Sequence, residues 1–121
     1  MKVVICEDSK FFTEHLVDIV NAWAKEREVP TEIATYASAE AFLPDWRKSE
    51  DYDIMFFDYQ MGPINGLELA KIVRKTNSGI PIVFVTSMQG FSGYSVSAMR
   101  VLYKPAKKED CFACLDQVHQ K

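Results

Sequence analysis

Three short runs of the chain are apolar at every position: Val3 to Cys6, Ile54 to Phe57 and Ile82 to Val85. Runs this short and this rich in β-branched or aromatic residues mark strands covered on both faces, as in a parallel sheet. Between the first two, Phe12, Leu16, Ile19, Val20 and Trp23 recur at i, i+4, i+7, i+8 and i+11, one apolar stripe along a helix. Ser9 or Asp8 is its natural N-cap. Pro30 punctuates the chain, Glu32 to Thr35 forms a weaker strand, and Ser38 begins a short helix carrying Phe42 and Trp46 that Pro44 kinks or ends.

Beyond the second apolar run, Gly62-Pro63-Ile64-Asn65-Gly66 is loop chemistry, and Leu67, Ala70 and Val73 line a helix ending near Asn77-Ser78-Gly79. Pro81 opens the next strand. Phe91 to Met99 is helical by its position in the alternation, Val101 to Tyr103 is a brief strand, and Cys111, Leu115 and Val118 give the last helix its stripe. The order is β-α repeated five times in one domain over residues 1–121, without internal repeat or linker. Such alternation predicts an α/β fold, a flavodoxin-like doubly wound (βα)5 parallel sheet of strand order 2-1-3-4-5 with helices on both faces.

Composition narrows the class. With 121 residues, 48% hydrophobic and 26% charged, the chain is an ordinary globular domain that needs no covalent staple. Its net charge of -3 and scattered lysines and arginines argue against direct nucleic-acid binding by this chain alone. No run of about 18 apolar residues exists to cross a membrane, and Glu7-Asp8 arrives too early for a signal-peptide core, so the expected location is cytoplasmic. The three cysteines fit reduced thiols. Cys111-Phe112-Ala113-Cys114 has redox or half-zinc-site spacing, but no second ligand pair accompanies it. His15 and His119 are single histidines in helical stretches, expected to pack or face solvent.

In doubly wound sheets ligands bind beyond the carboxyl ends of the strands, where the strand order reverses. Strand one runs into Glu7-Asp8, strand three into Asp58, strand four into Thr86-Ser87 and strand five into Lys104-Pro105. Three carboxylates brought to one edge repel unless a cation or a lysine offsets them, and hard oxygen donors with room for water describe a Mg²⁺ site better than zinc or copper. Asp58, held at the sheet edge, could act as a nucleophile toward phosphorus. A metal on Asp8 and Asp58, with Glu7 acting through water, would neutralise phosphoryl oxygens, and Lys104 and the Thr86 hydroxyl would take the others.

On these residues the chain resembles, along essentially its full length, the receiver domain of bacterial two-component response regulators. The matching elements are Glu7-Asp8, Asp58 with Met61 and Gly66 beyond it, Thr86, and Lys104-Pro105. The segment Tyr94 to Pro105 with the Cys6-Glu7-Asp8 opening is most similar to the receivers of LytTR (AlgR/AgrA-like) regulators. The resemblance implies that a sensor histidine kinase donates a phosphoryl group to Asp58, with Mg²⁺, or Mn²⁺ in its place, bound by Asp8, Asp58 and the main-chain carbonyl of Gln60. It implies that the domain catalyses its own phosphorylation and slower dephosphorylation. It also implies a homodimer through the fourth helix, fifth strand and fifth helix, and, if a C-terminal domain exists, DNA output through that domain; a stand-alone receiver and the N-terminal part of a longer regulator are both open. In the family Thr86 moves toward the phosphoryl group and an aromatic three residues before the lysine fills the vacated space; here that position is Val101, leaving Tyr103 and Tyr94 as switch candidates. Gly62-Pro63 also departs from the family, which places proline directly after the methionine.

Two rivals differ in class. A haloacid-dehalogenase-like phosphatase would need a second acid two residues past the first, which Asp58-Tyr59-Gln60 lacks. A degenerate receiver would keep the fold and work through protein contacts alone.

Overall fold

The three all-apolar runs become the three central strands. In the computed structural model, which describes residues 1–120, β1 (Lys2–Cys6), β3 (Ile54–Phe57) and β4 (Ile82–Thr86) lie side by side, flanked by β2 (Glu32–Tyr36) and β5 (Arg100–Tyr103). All neighbouring pairs are parallel and the order is β2-β1-β3-β4-β5, as the alternation predicts. Because successive strand residues face opposite sides, the sheet feeds two cores. Val3, Ile5, Ile54, Phe56, Val83 and Val85 face α1 (Lys10–Arg27) and α4 (Lys108–His119). Val4, Met55, Phe57, Ile82 and Phe84 face α2 (Ala39–Lys48) and α3 (Gly66–Thr76).

The stripe on α1 buries Leu16, Ile19, Val20 and Trp23, each large side chain contributing about 1.5–3 kcal/mol. Trp23 also donates its Nε1 hydrogen to Asp116 Oδ1 at 2.8 Å, and Arg27 pairs with the same carboxylate at 3.0 Å, so α1 and α4 are clamped together. Ser9, not Asp8, is the N-cap of α1, accepting from the Phe12 amide. Pro44 does not end α2, which runs through it to Lys48. Asn65 and Glu68 form a reciprocal capping box that starts α3 directly after the Gly62–Ile64 loop.

The fivefold β-α pattern needs one correction. Between β4 and β5, where position predicts a helix over residues 91–99, the chain forms only a three-residue 3-10 turn, Tyr94–Val96. Its sequence explains this: Gly90 (φ 74°) and Ser97 (φ 53°) take left-handed conformations that interrupt a helix. At Gly93 a Cβ would stand 2.4 Å from the Cβ of Ala98 and 3.1 Å from the Phe84 ring. Carbonyls that a helix would satisfy internally are taken from outside by Arg74 of α3, whose Nε donates to Val96 O at 2.7 Å and Nη2 to Ser97 O at 3.3 Å. The described residues therefore form four α-helices, and among them the expected dimer face lacks its first helix.

Candidate functional site

The strand ladders continue one residue past β1, β3 and β5 and so fix the polar residues at the sheet edge. Glu7 N donates to Tyr36 O at 3.0 Å, Asp58 N to Cys6 O at 3.0 Å, and Lys104 N to Thr86 O at 2.9 Å. Glu7, Asp58 and Thr86 are thereby buried at 3%, 5% and 1% exposure, the only buried polar or charged side chains among the described residues. Asp8, one residue beyond the ladder, is exposed.

Glu7, Asp8 and Asp58 each offer a carboxylate oxygen, and these oxygens lie within 4.8 Å of one another. Lys104 enters the same space: its Nζ is 2.7 Å from Glu7 Oε1 and 3.0 Å from Asp58 Oδ2. Glu7 Oε2 accepts from the Ser9 amide at 3.0 Å, while Oε1 has the close ammonium but no aligned hydrogen bond. Burial, with the nearby Asp58 charge, outweighs the Lys104 and Ser9 contacts and pushes the Glu7 carboxyl up to about 7. Burial pulls the Lys104 ammonium down, but the close contacts with the Glu7 and Asp58 carboxyls outweigh it and hold the group above its ordinary value.

Three carboxyl groups face one ammonium, and all the donors are hard oxygens. That set fits Mg²⁺ or Mn²⁺, which keep several waters, and it contains no nitrogen or sulfur ligand to favour zinc. Gln60 lies exposed on the loop two residues past Asp58. The loop returns tightly: Gly66 N donates to Tyr59 O at 2.8 Å, and a Cβ at Gly66 would stand 2.0 Å from the Asp58 carbonyl oxygen. Only glycine allows α3 to start this close beneath the acid.

Thr86 accepts from the Met88 amide through Oγ1 at 3.1 Å and stands in register with Tyr103 across β4 and β5. Tyr103 is 43% exposed. Val101 is half-buried against the α2–α3 core, and Tyr94, 90% exposed, fills no space beneath Thr86. The residue that does pack beside the site from this connection is Phe91, whose ring lies 4.9 Å from that of Tyr59 and 4.8 Å from that of Phe84. Sequence reasoning passed over it because a lone aromatic in a glycine- and serine-rich stretch has no period.

His15 reaches the Ala106 carbonyl at 2.9 Å, and Cys6, Cys111 and Cys114 are buried free thiols. No helix of the described residues is long and apolar enough to cross a membrane.

A family model described as the response regulator receiver domain matches residues 3–116. Among curated proteins, accessory gene regulator protein A of Staphylococcus epidermidis is 30% identical over 131 residues and that of Staphylococcus aureus 31% over 130. Both alignments cover 100% of this chain and 55% of the relative, so the chain spans about half the length of these relatives. Among solved structures, the response regulatory domain of protein mrkE from Klebsiella pneumoniae superposes with a TM-score of 0.86 at 20% identity, covering 99% of this chain and 96% of that one. A response regulator from Chloroflexus aurantiacus gives 0.83 at 22%, covering 99% and 98%. At these identities the structural likeness establishes the fold.

Proposed function

The chain belongs to the response regulator receiver domain family, a component of phosphorelay signalling, and from that premise we propose that Asp58 is its phosphoacceptor. The observation that carries this reading is the meeting of Glu7, Asp8 and Asp58 within 4.8 Å with the Lys104 ammonium 3.0 Å from Asp58. An Asp58 carboxylate oxygen attacks the phosphorus of a histidine kinase's phosphohistidine. The P–N bond breaks, its electron pair stays on the imidazole nitrogen, and an acyl phosphate forms on Asp58. Lys104 and the Thr86 hydroxyl receive phosphoryl oxygens. Asp8, Asp58 and the Gln60 main-chain carbonyl would hold Mg²⁺, with Glu7 acting through water, and the ion when bound would neutralise phosphoryl charge. The Gln60 side chain orients the water that later hydrolyses the acyl phosphate, and equal lifetimes in wild type and Gln60→Ala would remove that role.

The switch begins at Thr86. A phosphoryl group adds about -1.5 to -2 charge and three acceptor oxygens. Drawing the Thr86 hydroxyl toward it breaks the hydrogen bond from Met88, so the Met88–Ser97 connection is released at its start. Tyr103, registered beside Thr86, and Phe91 are the aromatics placed to follow; Val101 is too small for the family's usual rotation. The output is a change of protein contacts. A second copy would meet β5 and α4 with the 3-10 turn standing where a helix was expected.

By the names of its relatives, which are gene regulators, we read the chain as the receiver part of a cytoplasmic transcriptional regulator whose further domain of LytTR type contacts DNA. Incubation with Mg²⁺ and acetyl phosphate, followed by intact mass, tests the core of the proposal. One added phosphoryl group that requires Mg²⁺ and is lost in Asp58→Ala supports it; no addition favours a receiver acting through contacts alone.

A further inference from the structure

Lys104 meets a third partner besides the two carboxylates. Its Nζ stands 4.5 Å from the centroid of the Phe12 ring, on the first turn of α1. The Lys104 side chain is only 9% exposed, so the ring closes over an ammonium already surrounded by Glu7 and Asp58. Phe12 itself is half-buried, and the Phe11 ring abuts it edge-on at 5.2 Å with planes at 81°. The same helix holds the backbone just past Lys104, since His15 Nε2 bonds the Ala106 carbonyl at 2.9 Å.

We propose that Phe12 is a positioning residue for phosphoryl transfer, its ring face acting as the seat that keeps the Lys104 ammonium aimed at Asp58. This rests on the phosphoacceptor reading above and goes beyond it. The physical reason lies in what changes during the reaction. Before transfer Lys104 is held by two carboxylates; once Asp58 carries a phosphoryl group, its ionised oxygen is gone and the ammonium must turn to a phosphoryl oxygen. A third carboxylate at position 12 would compete for the ammonium at that moment. An aromatic face attracts the cation through its quadrupole, excludes water from one side, and accepts no hydrogen bond that the phosphoryl oxygen must displace. Attraction of this kind at a largely desolvated site corresponds to a rate effect of about threefold to thirtyfold.

The test replaces Phe12 by phenylalanine carrying one, two or three ring fluorines, which weaken the ring quadrupole with little change of shape. Asp58 phosphorylation by acetyl phosphate in Mg²⁺ is then timed; in that step an Asp58 oxygen bonds phosphorus and acetate leaves with the electron pair of the broken P–O bond. The expected result is a stepwise fall in rate with each fluorine, a rate close to wild type in Phe12→Tyr, and a fall of about threefold to thirtyfold in Phe12→Leu. Equal rates across the fluorine series overturn the proposal. A second readout is independent of phosphorylation: the Lys104 ε-methylene protons, on the carbon bonded to the Nζ that stands over the ring, are expected to resonate upfield in wild type, and that shift is expected to be lost in Phe12→Leu. Unshifted wild-type resonances overturn the seat. A wild-type chain that takes no phosphoryl group but shows the ring-shifted methylene sinks the phosphoacceptor reading and the positioning role with it, leaving only the contact.

Discussion

The ammonium nitrogen of Lys104 stands 3.0 Å from Oδ2 of Asp58, with both side chains under a tenth exposed. A charge buried in this way is stabilising only while its partners remain, and the same ammonium is aimed where phosphoryl charge develops. Lys104→Met is expected to slow Asp58 phosphorylation by about a hundredfold or more, the loss typical of one preorganised donor. Time courses with acetyl phosphate check this, and a rate within twofold of wild type would contradict it.

Removal of the proposed metal should be visible in stability. A cation that binds the native acid cluster and not the unfolded chain raises stability by about 2.7 kcal/mol at a hundredfold excess over its Kd. Thermal unfolding with and without Mg²⁺ is therefore expected to show a rise in Tm for wild type and little or none for Asp8→Asn, because Asp8 is the exposed member of the set and contributes no buried packing. Equal Mg²⁺ responses in the two proteins would take Asp8 out of the ligand set.

Gly66 joins the site to the fold. Since a Cβ there would meet the Asp58 carbonyl oxygen at 2.0 Å, Gly66→Ala forces backbone apart, an overpacking that costs about 1–3 kcal/mol. Denaturant unfolding should record that loss, and phosphorylation should fall with it because the displaced backbone carries the acceptor. A variant as stable and as active as wild type would show that α3 can start elsewhere.

Much of this was legible in the sequence. The strands β1, β3 and β4 carry unbroken apolar runs because they are covered on both faces, and the acids, Thr86 and Lys104 follow strands directly, so strand order alone brings them to one edge. The missing fourth helix was not legible from alternation: Gly90, Gly93 and Ser97 oppose a helix locally, but what decides the matter is Arg74, 22 residues before Val96, taking carbonyls of that segment. Phe12 was hidden for a similar reason. Its place in the stripe of α1 reads as core, and only the return of β5 and Lys104 beside α1 gives its ring a cation.

The α1–α4 clamp predicts a pH dependence. Hydrogen bonds from Arg27 first, and from Trp23, hold the Asp116 carboxyl below its ordinary value of 3.8. A lowered native value means that the contribution is present above the unfolded value and is lost as pH falls through the native one. Wild type should therefore be more stable than Asp116→Asn at neutral pH, and the gap should close as pH drops below about 3.8. Urea unfolding across that range measures it; a gap that widens in acid would reverse the sign.

The cysteine pair gives a further expectation. Burial pushes the Cys111 thiol up to about 12 and raises Cys114 as well, and buried Cys6 is raised in the same way. Thiols kept protonated and covered should resist iodoacetamide in the native protein at pH 8 and react fully in denaturant. Rapid native labelling of Cys111 or Cys114 would revive a redox or metal role for the motif.

The most direct measurement locates the phosphoryl group itself. After reaction with acetyl phosphate and Mg²⁺, borohydride reduces an aspartyl phosphate to homoserine, which peptide mass spectrometry places on the chain. The expected result is homoserine at the position of Asp58 alone, absent without Mg²⁺ and absent in Asp58→Ala. Homoserine at the position of Asp8, or at none, would contradict the assignment of Asp58 as the acceptor.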